Sequence, residues 1–363
     1  MVEWKKLGEV CVIKNGYTPS TKENSYWENG TLPWFTLEDI RKNGRILEDA
    51  IKHITSLGVK KGGLFPKDSI IVSTTATIGE YALIKSDFLC NQQITCLTIK
   101  TDLKEQLLPK YLYYLSDRIG KWCKKNVNGG GSLLIVSTSK LNNFLIPIPS
   151  IEEQNRIVGI LDTFTASIDN LKEQIVQRRK QYEYYRDQLL DLEGKEGVEM
   201  KTLGDIGDVC MCKRIMKEQT SEKGEIPFFK IGTFGYHADA YISKELFDEY
   251  KSKYSYPRKG EILISASGTI GRSVVFDGGD AYFQDSNIVW IANDEKQVSN
   301  RYLYYFYQVA EWKTDGGTIK RLYNYNLKST IIPLPSLSEQ QRIVSILDTF
   351  EASIQNLEAQ LSQ

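Results

Sequence analysis

The sequence predicts an α+β protein made of two mixed α/β globular blocks separated by two long coiled-coil helices. Three observations lead there. The segment Ile146-Pro147-Ile148-Pro149-Ser150-Ile151-Glu152-Glu153-Gln154-Asn155-Arg156-Ile157-Val158 returns 186 positions later as Ile332-Pro333-Leu334-Pro335-Ser336-Leu337-Ser338-Glu339-Gln340-Gln341-Arg342-Ile343-Val344. Each copy opens a stretch whose apolar residues recur every 3.5 positions, the period of a coiled-coil seam. The stretches preceding the copies have drifted apart yet keep short motifs in the same order. A tandem duplication with constant helices and variable blocks divides the chain at 1–149, 150–193, 194–335 and 336–363. Each block, at roughly 140 residues, is large enough for its own core.

Within the first block, Ile70-Ile71-Val72 leads into Thr74-Thr75-Ala76-Thr77-Ile78-Gly79. In the second, Ile262-Leu263-Ile264 leads into Ala266-Ser267-Gly268-Thr269-Ile270-Gly271. Both read as a β-rich apolar strand entering a hydroxyl-rich turn. Lys110-Tyr111-Leu112-Tyr113-Tyr114-Leu115 and Arg301-Tyr302-Leu303-Tyr304-Tyr305-Phe306 read as helices whose aromatic residues are core. Flexible loops follow at Gly129-Gly130-Gly131-Ser132 and Gly316-Gly317-Thr318. Neither continues into Gly-Lys-[Ser/Thr], which excludes a phosphate-binding loop for ATP.

Pro149 and Ser150-x-x-Glu153 predict the first helix start, the serine oxygen accepting from the Glu153 amide while the glutamate reaches back. Ser336-x-x-Glu339 repeats the signal. The first seam is Ile157, Leu161, Phe164, Ile168, Leu171 and Ile175, with the register continuing through Arg178, Tyr182, Tyr185 and Leu189. The second is Ile343, Leu347, Phe350, Ile354, Leu357 and Leu361, and each seam is the natural partner of the other. Some 40 residues of first helix would span about 60 Å. Glu193-Gly194-Lys195-Glu196-Gly197 breaks it, and Met200-Lys201-Thr202-Leu203-Gly204-Asp205 restarts the module that began as Trp4-Lys5-Lys6-Leu7-Gly8-Glu9. The second seam stops at Gln363; either the chain is natively short there or part of the helix is lost, and in the latter case the distal part of the first helix is expected to lack an intramolecular partner.

Net charge is zero but segregated. Residues 1–150 carry 20 Lys+Arg against 14 Asp+Glu, and residues 151–199 carry 7 against 11. Residues 200–336 give 18 against 17, and 337–363 give 1 against 4. Basic blocks beside acidic helices fit nucleic-acid binding next to protein binding. The six cysteines do not recur between repeats, as a disulfide or zinc framework of a duplicated module should, and Cys210-x-Cys212 is too closely spaced for zinc. His53 and His237 have no counterparts either, which excludes histidine acid–base chemistry shared by both halves. Lacking a signal-peptide pattern and any apolar run near the roughly 18 residues of a membrane span, the chain is expected to be cytoplasmic.

The order of variable block, Ile-Pro-x-Pro-Ser-x-x-Glu-Gln-x-Arg-Ile helix, variable block and second such helix resembles the DNA specificity subunit of type I restriction-modification systems. The resemblance covers essentially the whole chain. Its most specific residues are Ile146 to Arg156 and Ile332 to Arg342, supported by Leu7-Gly8, Leu203-Gly204, Thr77-Ile78-Gly79 and Thr269-Ile270-Gly271. The resemblance implies a non-catalytic subunit whose blocks are target recognition domains, each reading one half of an asymmetric, bipartite DNA sequence. The two helices would pair antiparallel about a pseudo-twofold axis, set the gap between half-sites and dock two modification (methyltransferase) subunits. S-adenosylmethionine, ATP and Mg2+ would then belong to partner subunits, the modification subunits and the restriction (translocase and nuclease) subunits, with no cofactor in this chain. The sequence agrees in lacking Asn-Pro-Pro-[Tyr/Phe], Gly-x-Gly-x-x-Gly and Walker motifs.

Sequence reading requires side chains at base edges, with Lys and Arg on phosphates. First-block candidates are Lys14, Thr18, Thr36, Ser73, Thr74, Thr75, Thr77, Asn91, Gln92, Gln93, Lys124, Lys125 and Ser132. Asn91-Gln92-Gln93 stands out because these amides can pair bidentately with adenine, although they could equally close a hairpin. Second-block candidates are Lys213, Arg214, Lys230, Ser265, Ser267, Thr269, Asp285, Asn287, Lys320 and Arg321, with Arg214 and Arg321 either guanine readers or phosphate clamps. Two other classes compete. A nuclease could use Asp294-Glu295-Lys296, but a solvated turn accounts for that cluster more simply; a scaffold or ligand-binding protein with a coiled-coil spacer would not bind DNA at all.

Overall fold

The computed structural model describes residues 2–128, 134–316 and 320–362. It divides into two compact units, residues 1–168 and 169–363, with the boundary inside the first long helix. The two units repeat the same plan, the first with one additional edge strand in its main sheet.

In the first unit a five-stranded sheet runs in the order Cys11–Asn15, Ile94–Ile99, Ser69–Ser73, Tyr81–Ile84, Ile46–Leu47. The second unit has the equivalent four-stranded order Asp208–Cys210, Ile288–Ala292, Ile262–Ser265, Ser273–Val275. Each unit adds a three-stranded sheet in which Leu32–Phe35 or Ile226–Phe229 is central and pairs parallel with one neighbour. The apolar runs read as strands are strands: all five residues of Ser69–Ser73 and all four of Ile262–Ser265 are buried.

The motifs that open and close each block meet in a two-stranded sheet. Glu3–Lys6 pairs antiparallel with Leu145–Ile148, placing Trp4 opposite Pro147. Glu199–Thr202 pairs with Ile331–Leu334, placing Met200 opposite Pro333. Proline cannot donate to a ladder and is tolerated on such edges.

Four helices carry the frame: α1 (Pro109–Lys125), α2 (Ile151–Leu190), α3 (Asn300–Tyr307) and α4 (Leu337–Ser362). α1 and α3 are the tyrosine-rich helices, and their aromatic residues hold the frame to the blocks. The Tyr111 hydroxyl donates to the Pro147 carbonyl and that of Tyr302 to the Pro333 carbonyl, at 3.1 and 2.9 Å. The repeated Glu-Gln explains itself the same way. Gln154 and Gln340 are completely buried. Gln154 accepts from the Leu108 amide and donates to the Gln106 and Pro149 carbonyls. Gln340 does likewise with Ser299, Gln297 and Pro335. A side-chain amide has both donors and an acceptor, so one residue satisfies three backbone groups around a helix start.

The helix starts follow the serine signal only in part. The Glu153 and Glu339 amides donate to Ser150 and Ser336, both at 3.3 Å. The glutamates do not close the box, because each carboxylate forms a bidentate pair with the arginine one turn on, Arg156 or Arg342.

The seams also divide differently from a uniform coiled coil. Ile157 packs against the first core, while Ile343 and Leu347, both fully buried, belong to the second. Burying such a side chain contributes about 1.5–3 kcal/mol, which welds each helix start to its block. Within the second unit α2 and α4 run antiparallel. Arg179 pairs with Glu358 at 2.5 Å and Tyr185 stacks on Phe350 at 5.4 Å, so advancing along α2 means retreating along α4. The distal half of α2 is therefore the half that α4 covers, with Ile175 and Leu190 buried. This reverses the expectation for the shorter second helix. The solvent-facing seam positions lie nearer the start of α2, where Phe164 is 64 % and Ile168 43 % exposed.

All six cysteines are free thiols, and burial pushes Cys11, Cys96 and Cys212 up to about 12. Such thiols are inert at neutral pH. Among the described residues no helix is long and apolar enough to cross a membrane.

Candidate nucleic-acid interface

The hydroxyl-rich turns form one built loop in each unit. Ser73 Oγ donates to the Thr77 carbonyl and accepts from the Glu80 amide. Ser265 Oγ makes the same two bonds, to the Thr269 carbonyl and from the Arg272 amide. The third loop residue is left-handed in both, Ala76 at φ 64° and Gly268 at φ 65°. A Cβ on Gly79 would meet the Gly120 carbonyl at 2.6 Å, and one on Gly271 the Trp312 ring at 2.3 Å. Glycine is required there because the loop lies directly on its neighbouring element.

These bonds correct part of the candidate set. Ser73, Thr74 and Ser265 are buried; the two serine hydroxyls are spent inside the loop and that of Thr74 on Thr95 of the strand Ile94–Ile99, at 2.8 Å. They shape the turn and cannot touch a base. Thr36 caps the helix Leu37–Asn43 by accepting from the Glu38 amide. Lys230 is paired with Asp239, and Lys213 lies over the Tyr254 ring. Ser132 lies outside the described residues.

In the second unit the remaining candidates converge. Ser267 and Arg321 face each other across a backbone bridge, and Asp315 bridges Arg321 from the other side. Ser267 Oγ donates to Asn287 Oδ1 at 2.9 Å, and Arg321 Nη2 to the Ser286 carbonyl at 2.7 Å. Arg214 Nε donates to Asp285 Oδ2 at 2.9 Å. Lys320 and Thr269 stand exposed beside them. Residues not foreseen from sequence complete the surface. Tyr323 and Tyr325 are stacked, 5.8 Å apart and 6° from parallel, with both rings exposed. Asp315 accepts from Tyr325 and Asn326, and those bonds, the Tyr325 one foremost, hold its carboxyl below the usual range. Arg272 donates to the Phe234 carbonyl and lies under the exposed Tyr236 ring at 4.9 Å. The forewarning in the sequence was Tyr323-x-Tyr325, one residue beyond Arg321-Leu322.

The first unit assembles the corresponding place from different chemistry. Thr75 and Asn128 both bridge Ile135, the Val136 amide donates to the Thr74 carbonyl, and the Thr74 amide to the Gln93 carbonyl. Asn91 is spent on its own turn, accepting from the Gln93 amide at 3.1 Å. Gln92 is exposed and accepts from Thr18, and Thr77 is exposed as well. Lys124 reaches within 3.0 Å of a Cβ on Gly79, which places the end of α1 beside this loop, and Lys125 follows it. Lys14 instead lines a separate groove with Tyr17 and Lys60.

Among the described residues no group of three or more His, Cys, Asp or Glu could hold a metal ion. Asp294-Glu295-Lys296 is a turn with every group tied: Lys296 pairs with Asp294, and Glu295 accepts from the Asn300 amide at the start of α3.

The family model described as the type I restriction modification DNA specificity domain matches residues 1–178 and 195–363. A type I restriction enzyme specificity subunit of Haemophilus influenzae is 44% identical over 366 residues, covering 96% of this chain and 88% of its own. The EcoprrI specificity subunit of Escherichia coli is 43% identical over 221 residues, covering 56% of this chain and 54% of its own. A solved structure described under complex assembly and conformational transition of the type I restriction-modification system shares the fold, with a TM-score of 0.65 at 20% identity over 99% of this chain and 93% of that one. Two matched domains, their duplicated frame and a relative spanning nearly the whole length establish that this chain belongs to the type I restriction-modification DNA specificity subunit family.

Proposed function

We propose that each unit reads one half of an asymmetric, bipartite DNA target, and that α2 and α4 set the gap and dock two modification subunits. The observation that carries this reading is the repeated loop surface. One scaffold, with the same loop bonds and bridges, presents amides, hydroxyls and apolar groups in the first unit but guanidinium groups and tyrosines in the second. Two readers of one shape with different chemistry suit a target whose halves differ.

The exposed Phe164 and Ile168 on α2 support protein docking, since apolar side chains of that size on a helix face gain by being covered. Methyl transfer from S-adenosylmethionine, and ATP- and Mg2+-dependent translocation and cleavage, fall to the modification and restriction subunits in this reading. Such a complex works in the cytoplasm.

Reconstitution tests it. The isolated chain should neither methylate nor cleave DNA, methylation should appear on adding modification subunits, and DNA affinity should fall steeply with salt. A scaffold without a DNA role would bind with no such salt dependence.

A further inference from the structure

We propose that one position bridged to the hydroxyl-rich loop, occupied by Ile135 in the first unit and Arg321 in the second, selects the base that each unit reads. Arg321 donates to the N7 and O6 edge of a guanine, whereas the Leu134–Ile135 pair packs on thymine methyl groups. The inference rests on the reading of both loop surfaces as DNA-binding.

The equivalence of the two positions is structural. Ile135 is bridged by Thr75 of the hydroxyl-rich loop and by Asn128 at the end of the preceding segment; Arg321 is bridged by Ser267 and Asp315 in the same way. The next residue plugs the core in both, Val136 at 2 % and Leu322 at 3 % exposure. The bridged segment therefore has an inward position that is kept and an outward one that varies.

At that outward position the first unit spends apolar side chains on water. Leu134 is 49 % and Ile135 40 % exposed, with Val136 already filling the core beneath them. Packing among the described residues gives no reason for them. The major groove does, because the thymine methyl is the one apolar group on its base edges.

Arg321 is organised as a reader. A phosphate contact needs only positive charge, but a base contact needs a guanidinium plane fixed in space. Arg321 Nη2 is anchored on the Ser286 carbonyl, and the guanidinium lies 5.9 Å from the Tyr323 ring. Ser286 itself holds a left-handed φ of 52°, a strained conformation for a non-glycine residue, in the turn that offers this carbonyl. One anchored N–H leaves the rest of the planar fork for a ligand. Arg214 is built otherwise: its Nε is neutralised by Asp285 and its side chain is 66 % exposed, the environment of a phosphate or rim contact.

The test uses the full chain co-expressed with its modification subunit, with methylated sites mapped by single-molecule sequencing and DNA affinity measured across salt. Arg321→Lys keeps the charge and removes the fork. It should lose guanine preference at one position of the second unit's half-site, roughly 5- to 150-fold in discrimination, leave the other half-site unchanged and keep the salt slope. Ile135→Ala should relax a thymine position in the other half-site only. An intact motif with uniformly weaker binding and a shallower salt slope in Arg321→Ala would make Arg321 a phosphate contact and overturn the inference. A wild-type complex that methylates without any bipartite motif would overturn the underlying reading instead.

Discussion

The Tyr305 hydroxyl donates to the Asp348 carboxylate at 2.6 Å, and Tyr114 makes the same bond to Asp162 at 2.5 Å in the other unit. A cation completes each clamp, Arg301 on Asp348 and Lys110 on Asp162, both at 2.7 Å. The aspartate of the repeated Ile-Leu-Asp-Thr-Phe therefore ties a constant helix to the tyrosine-rich helix of its block. Asp348→Ala removes two charge-assisted bonds at a half-exposed site and should lower the stability of the second unit by about 1–3 kcal/mol. Urea unfolding checks this, and an unchanged midpoint would show that packing alone holds the helices.

The first clamp predicts an acid limb. Burial alone would raise the Asp162 carboxyl, but the hydrogen bonds from Lys110 and Tyr114 outweigh it and hold it below the usual carboxylate range. A carboxyl depressed on folding contributes stability that is fully present above its unfolded value of about 3.9 and is lost as pH falls through the lower, folded value. Asp162→Asn should reduce stability at pH 7 and narrow its difference from wild type below about pH 4. An undiminished difference in acid would refute the assignment.

The two loop turns predict effects of opposite sign. Ala76 pays for a left-handed backbone that Gly268 adopts freely. A Cβ at Gly268 would meet only Ile231, at an ordinary 3.5 Å, so conformation rather than crowding sets its effect. Gly268→Ala should destabilise by about 1 kcal/mol, and Ala76→Gly should be neutral or stabilising by less than that. Thermal melts decide, and two changes of the same sign would contradict the strain argument.

The antiparallel helix pair predicts where assembly is vulnerable. Phe350 receives the Tyr185 ring on one side and the Arg178 guanidinium at 5.9 Å. Phe350→Asp should separate the far ends of α2 and α4 while leaving the second core, which begins with Ile343 and Leu347, folded. Hydrogen exchange would register faster amides in residues 175–185 and 350–362 and nowhere else in the second unit. Protection lost throughout the second unit would mean that the core depends on the pairing of the far ends.

Much of this was legible because duplication prints the frame twice. The 3.5 period, the serine caps and the strand-to-loop motifs each mark their elements, and repetition separates signal from accident. The buried Gln154 and Gln340 were visible as a motif, but their role depends on backbone groups about 40 residues away, which no local pattern reports. The recognition surface was half legible. Hydroxyl residues drew attention at Ser73, Thr74 and Ser265, yet strands buried on both faces and the return of the loop over them enclose those three. Tyr323 and Tyr325 went unforeseen since only the fold shows that the short helix Asn324–Ser329 and its cap leave both rings exposed.

The most direct test of the central claim exchanges residues 1–145 for the same block of a relative with a different target, in a chain co-expressed with its modification subunit, and maps methylated adenines. Two independent readers on one frame predict a gapped motif in which one half-site changes while the other half-site and the gap persist. A change in both half-sites, or in the gap, would contradict it.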